Sequence, residues 1–262
     1  MKLTPSEWLE KIDFLINKAV TSDLDRGWDE DIITYKILNS FTKKLKKVTI
    51  TSPAPQNVAW DLYKFAGKNF ETKYGDIAIL VKFTFPNGNE KEGVAFLEAK
   101  RFYTQYSRFK ALDFEQLQLQ LDNTHAHRTL LYVGSASSRH ATNLELQYCS
   151  TFQQDALSEG HALTVPSETT VSLEDKKLTL LDHSLPLSYI LTTRYLKGME
   201  LDYDPDTVRR TKGFMNDKSG VKFLLVTHIT YDLTLEPEPG KIKIGRQYKL
   251  VSLVPDDPMP AN

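Results

Sequence analysis

The sequence predicts an α/β fold, and three observations carry that prediction. Two β-rich runs, YGDIAILVKFTF and VAFLEAKRF, flank Asn87-Gly88, a strong hairpin signal. Amphipathic helical patterns stand before and after that hairpin. The run TLLYVG at 129–134 then reads as a buried strand. Helix, hairpin, helix and strand in this order make an α/β core within residues 1–150.

Residues 4–20 read as a helix, with Thr4 as N-cap, Pro5 in the first helical position and Glu7 closing a capping box. Trp8, Ile12, Leu15, Ile16 and Ala19 share one face, which suits core packing or the docking of a partner. A second helix is expected over 28–47, with an apolar stripe of Ile33, Ile37, Leu38, Phe41 and Leu45. Glu30 falls on that stripe, whereas Asp29 and Asp31 point elsewhere. All three acids suit the positive end of the helix dipole, yet a carboxylate aligned with a buried face needs a further reason. The closing KKLKK suits the other end of the dipole and also phosphate contact.

SPAPQN at 52–57 is expected to be a loop, 58–65 a strand and 67–69 a turn. Residues 107–122 read as a helix with Phe109, Leu112, Gln116 and Gln120 near one face and Gln118 pointing away. Past residue 150 the pattern changes. Residues 188–196 look helical, 221–231 and 241–253 look like strands, and the tail DDPMPAN reads as frayed. Residues 151–262 are expected to form a C-terminal α+β extension packed on the core, or one continuous domain with it.

With 40% hydrophobic residues in a chain of 262, a packed core is feasible. Thirty-four acids against thirty-three bases give no global positive field, so a nucleic acid would have to meet a local basic groove. The single cysteine, Cys149, excludes an intrachain disulfide and a multi-cysteine zinc site, and reads as structural. No apolar run approaches the roughly 18 residues of a membrane span, and the N-terminus lacks a signal peptide's apolar stretch. A soluble, cytoplasmic chain without membrane association is the expectation.

No phosphate-binding P-loop, dinucleotide fingerprint or G-x-S-x-G elbow is present, so GSASSRH at 134–140 lacks the setting of a serine hydrolase. His125 and His127 have no third ligand at a recognised spacing and read as a polar turn. Arg194, Arg209, Arg210 and Lys212 read as scattered surface charge. The tyrosines and phenylalanines are spread along the chain and mark no stacking platform.

Chemistry concentrates at the foot of the hairpin. With Asn87-Gly88 as a two-residue turn, opposed residue numbers sum to about 175, and Asp76 faces Ala99. Glu98 and Lys100 then share one sheet face while Asp76 points to the other. A three- or five-residue loop, or one bulge, shifts the pairing by one and brings all three to the same face. Both registers stay open at this point, and in either the three groups gather at one end of an apolar hairpin. Two carboxylates with a backbone carbonyl and water form the hard oxygen site that Mg²⁺ prefers. Such an ion polarises a phosphodiester and acidifies bound water, and a neighbouring lysine positions that water or stabilises the developing charge. A cross-strand salt bridge is the competing reading, but it explains only one acid and one lysine.

YGD followed, after a hairpin, by FLEAK resembles the PD-(D/E)xK nuclease superfamily, the restriction-endonuclease-like fold. The aspartate matches Asp76, and the E-x-K triplet matches Glu98, Ala99 and Lys100, with Gly75 standing where the family's name has proline. EDIITYKIL supplies Glu30 on the first core helix. FEQLQLQL supplies Gln116 on the helix after the triplet, with Gln118 and Gln120 as competitors. The resemblance covers roughly residues 25–135 and implies a core of helix, mixed sheet with a catalytic hairpin, helix and strand. It implies that Asp76 and Glu98 bind Mg²⁺, with Mn²⁺ as a substitute, and that Glu30 binds a second ion or orients water. Lys100 would assist attack of water on a phosphodiester, and Gln116 would position the lysine or the water. The implied activity is that of a Mg-dependent endonuclease acting on DNA. The N-terminal helix and C-terminal extension look like those of nucleases from prokaryotic antiphage defence or restriction systems. A partner subunit, an ATPase or a sensor, or a homo-oligomer would then deliver the enzyme to its substrate. The alternative is a catalytically silent nuclease-fold subunit that binds nucleic acid or a partner protein.

Overall fold

Ten strands and the helices on both of their faces make up the α/β architecture of the described residues, which in this computed structural model are 1–22, 29–51, 54–67, 73–134, 160–215 and 220–251. The N-terminal strand β1 (Lys2–Leu3) leads into α1 (Pro5–Thr21). The Thr4 hydroxyl accepts from the Glu7 N–H while the Glu7 carboxylate accepts from the Thr4 N–H at 2.7 Å, so the capping box forms as its sequence predicts. Trp8, Ile12 and Ile16 are buried, and Trp8 stacks on Trp60 at 5.9 Å. That face is spent on core packing, and no docking surface is left there.

Asp29 caps α2 (Glu30–Lys44) by accepting from the N–H groups of Asp31 and Ile32. This helix stops short of its expected end. Lys47 already opens β2 (Lys47–Ile50), because the β-branched run Val48-Thr49-Ile50 favours a pleated strand with Val48 and Ile50 facing inward. Strands β3 (Gln56–Phe65), β4 (Ile77–Thr84) and β5 (Glu90–Arg101) follow.

The next helix, α3 (Phe114–Leu121), is half the length that the apolar spacing suggests. Asp113 caps its start by accepting from Glu115 and Gln116 N–H, and Phe109 and Leu112 are buried from the loop before it. Strand β6 (His127–Val133) comes next. Beyond residue 160 the order is β7 (His161–Pro166), α4 (Ser167–Leu173), β8 (Leu185–Pro186), α5 (Leu187–Thr193), α6 (Pro205–Thr211), β9 (Phe223–Thr230) and β10 (Tyr248–Leu250). The strand expected over 241–253 shrinks to β10, because Ile242 and Ile244 pack into the core from irregular backbone. Cys149, residues 135–140, the expected helix start at Trp28 and the tail at 256–262 lie outside the described residues.

The strands form one mixed sheet in the order β1-β2-β3-β9-β4-β5-β6-β7-β8. β2 and β10 share one edge of β3, pairing with residues 56–59 and 63–65 respectively. β9 lies antiparallel to β3 and parallel to β4, and β5 lies parallel to β6. Side chains alternate along the central strands as a pleat requires. Ile77, Ile79 and Leu97 meet Ile33, Ile37 and Phe41 of α2 on one face, while Ala78, Leu80 and Phe96 meet Leu224, Val226 and Val208 on the other. With both faces covered, the strands read as nearly unbroken apolar runs. No helix among the described residues is long and apolar enough to cross a membrane.

β9 sits between β3 and β4, so residues 1–150 alone leave a gap in the middle of the sheet. A fragment ending at residue 150 is expected to lack a cooperative urea transition and to show a collapsed far-ultraviolet circular dichroism spectrum. Native-like, cooperative unfolding of that fragment would show that the central pairing is dispensable.

Candidate active site

A single turn decides the hairpin register. Phe85 N–H donates to Asn89 O and Gly88 N–H to Phe85 O, each at 2.9 Å, which closes Pro86-Asn87-Gly88 as a three-residue loop. Gly88 takes φ 79 at the loop's end, the left-handed position that such a loop demands. Opposed residue numbers now sum to 174, as in Ile77 with Leu97, rather than the value of a two-residue turn. Asp76 stands in the bend just before β4, with Glu98 and Lys100 close enough to act on its charge.

The approach to Asp76 is equally constrained. Gly75 has φ 97, and a Cβ there would come within 2.8 Å of Leu97 O, so the position excludes any side chain. The turn lets Asp76 N–H donate to Leu97 O at 3.0 Å while Asp76 Oδ2 accepts from Ala99 N–H at 3.0 Å. From the other side, Phe223 N–H at the start of β9 donates to Asp76 O at 3.0 Å.

Glu98 is 2% exposed and is the hub of the cluster. Its Oε1 accepts from Lys100 Nζ at 2.6 Å and from Gln116 Nε2 at 3.3 Å, and its Oε2 accepts from Gln120 Nε2 at 2.9 Å. Two glutamines one turn apart on α3 thus serve one carboxylate, while Gln118 bonds Asp122 at 3.1 Å instead. Glu30, the first residue of α2, accepts from Arg101 N–H at 2.9 Å. Asp31 beside it pairs with Lys222, and Thr34 links Glu30 O to the Tyr132 hydroxyl. The structure therefore brings Asp76, Glu98, Lys100, Glu30 and Gln116 to one end of the sheet. Sequence reasoning ranked Gln120 only as a competitor, although the face it shares with Gln116 was a usable signal. The main-chain donor at Arg101 left no signal in the sequence.

Burial pushes the Asp76 carboxyl up to about 7, and the neighbouring Glu98 adds to the rise. Burial also raises Glu30, against the opposing pull of Arg101 N–H and Lys100. For Lys100 burial works against the charge, but Glu98, Asp76 and Glu30 outweigh it and hold the group above the usual lysine range. Three acids thus share one ammonium. Among the described residues no three acidic, histidine or cysteine side chains converge on one point. A divalent cation would draw on Asp76 and Glu98 and complete its shell with main-chain oxygen and water. A small hard ion fits that donor set, because Mg²⁺ is commonly held by one or two carboxylates and keeps several waters. Its charge would also oppose the burial and the neighbouring Glu98 that raise Asp76.

The remaining candidates resolve into structural roles. His127 lies in β6 rather than in a turn, against Ser167 Oγ at 2.7 Å, and burial lowers it to about 4, so it is neutral at pH 7. His125 faces Glu168 at the surface at 3.1 Å. Arg128 is buried against Thr164 and Glu200. Arg194, Arg209 and Lys212 pair with Glu200, Asp206 and Glu92. No family model matches this chain, and no match to it was found among curated proteins or solved structures.

Asp76 also links the site to stability. Between its ordinary value near 4 and about 7, the folded chain holds a proton that the unfolded chain releases. Folding stability contributed through this group therefore falls as pH rises across that window and levels off above it. Asp76→Asn cannot titrate and is expected to gain on wild type between pH 4 and 7 in EDTA. The gain is at most about 4 kcal/mol, from roughly three pH units at about 1.4 kcal/mol each. Urea denaturation across this range checks it, and a variant-to-wild-type difference that stays flat with pH would refute the coupling.

Proposed function

We propose that this chain is a metal-dependent nuclease of the PD-(D/E)xK, restriction-endonuclease-like kind that hydrolyses phosphodiester bonds, with DNA as the favoured substrate. One observation carries the reading: Asp76 Oδ2 accepts from the N–H of Ala99, which stands between Glu98 and Lys100, themselves in contact, at a sheet end where Glu30 also arrives. A salt bridge alone accounts for the Lys100–Glu98 contact but gives no reason to bury Asp76 and Glu30 beside it.

A divalent cation at Asp76 and Glu98 would supply Lewis-acid polarisation of the phosphodiester and a more acidic water. Lys100, held as an ammonium by Glu98, stabilises negative charge that develops on the phosphate. Gln116 and Gln120 fix the rotamer of Glu98 and so aim Lys100. Glu30, anchored by Arg101 N–H, keeps one carboxylate oxygen available to orient water or a second ion. A role in prokaryotic defence, with an ATPase or sensor as partner, belongs to the proposal through the resemblance alone.

Glu98→Gln and Lys100→Met are each expected to lower cleavage of plasmid DNA in Mg²⁺ by about 100-fold or more. The double variant should be scarcely worse than either single one, since groups that act as a unit are not additive. Mn²⁺ should replace Mg²⁺, and Ca²⁺ should bind without supporting cleavage. Full activity in excess EDTA, or in Lys100→Met, overturns the proposal. Metal binding without cleavage of DNA or RNA favours the silent-subunit alternative.

A further inference from the structure

We propose that the loop immediately after Lys100 is a stacking platform for single-stranded nucleic acid. This rests on the nuclease reading for its purpose, but its binding chemistry stands on its own geometry. Residues 101–112, RFYTQYSRFKAL, carry three cations and no acid in a chain of net charge −1. Phe102 and Phe109 turn inward, 6% and 0% exposed, and meet edge to face at 5.3 Å. The bond from Tyr103 N–H to Arg108 O at 3.0 Å closes the loop, and Ser107 at φ 50 completes the reversal. The loop is thus tied at its neck and anchored in the core.

With both core positions filled by phenylalanine, Tyr106 stays on the outside at 44% exposed and Tyr103 is half-buried beside it. The Arg101 guanidinium lies 4.3 Å from the Tyr103 ring centre, and the Lys110 ammonium lies 4.3 Å from that of Tyr106. The two rings are 6.2 Å apart at 51°. Arg108, between Tyr106 and Lys110 in sequence, is exposed. Cation–aromatic contacts at such exposed sites are worth about 0.5–1 kcal/mol each, enough to bias the rings toward one orientation. Core burial does not account for this set. Unpaired bases present flat faces to aromatic rings and phosphates to the cations beside them. A duplex keeps its base faces in its own stack and offers this surface phosphates alone. The ladder begins at Arg101, adjacent to Lys100 and bonded through its N–H to Glu30, so a strand lying along it leads into the candidate catalytic groups.

The test is fluorescence anisotropy of the full chain with labelled oligothymidylate, oligouridylate and duplex DNA of about 12 nucleotides or base pairs, with EDTA to prevent cleavage. Both single strands are expected to bind more tightly than the duplex, and the two of them report the sugar preference. Tyr106→Ala should weaken single-strand binding about tenfold, the loss of one stacked base, and leave duplex binding and thermal unfolding unchanged. Tyr106→Phe should retain wild-type affinity. Arg108→Ala and Lys110→Ala should weaken single-strand and duplex binding alike and each reduce the salt slope by about one. Unchanged single-strand binding by Tyr106→Ala, or a duplex bound as tightly as the single strands, overturns the platform. A wild-type chain that shows this pattern yet cleaves nothing in Mg²⁺ keeps the platform and sinks the nuclease reading. Cleavage with unaltered binding by Tyr106→Ala does the reverse.

Discussion

A carboxyl group that is 2% exposed, as Glu98 is, costs several kcal/mol unless hydrogen bonds and a counter-charge meet it. Much of the local structure is the answer to that cost. Lys100 lies two residues along the same face of β5 and supplies the charge. Helix α3 must then dock with Gln116 and Gln120 turned to the same carboxylate, which fixes both its position and its rotation. Asp113 starts the helix where that rotation works, by capping it one residue before Phe114. Leu117, between the glutamines in sequence, is fully buried and shares an apolar cluster with Phe109 and Leu131.

The same end of the sheet gathers groups from distant parts of the chain. Glu30 comes from the start of α2, Asp76 from the turn before β4, and Phe223 N–H, which holds the Asp76 carbonyl, from the start of β9. The parallel pairing of β4 with β9 makes this possible, because it brings two strand N-termini side by side. The carboxyl end of β5 lies beside them, antiparallel to β4. The late strand β9 is thus part of the frame that holds Asp76 in place.

Charge is divided in space in a way that the near-neutral total conceals. Asp76, Glu98 and Glu30 crowd the foot of the hairpin, and burial there raises both Asp76 and Glu30. The next dozen residues carry only cations. Crowded carboxylates beside a run of cations would suit the proposed nuclease, which must hold a metal ion and a polyanion together.

What the sequence by itself determined was written in short windows. The capping box at Thr4 and the turn residues around Asn87-Gly88 each depend on neighbours a few positions away. Those windows were enough to set out the first two helices, the hairpin, and the meeting of Asp76, Glu98 and Lys100 at one end of it, but not the helices Ser167–Leu173 and Pro205–Thr211. Tertiary structure alone decided the rest. The hairpin register turned on one residue and was settled by the bond between Phe85 and Asn89, while Asp76 reaches Ala99 N–H from the turn before β4. Gln120 joined Gln116 because α3 docks at one particular rotation, and Arg101 serves Glu30 through a main-chain N–H that every residue type possesses. Tyr103 and Tyr106 became a surface pair only once Phe102 and Phe109 had taken the core. Local periodicity and capping report interactions within a turn or two. The site was finished by pairings across tens of residues, whose outcome depends on which buried contacts can be satisfied together.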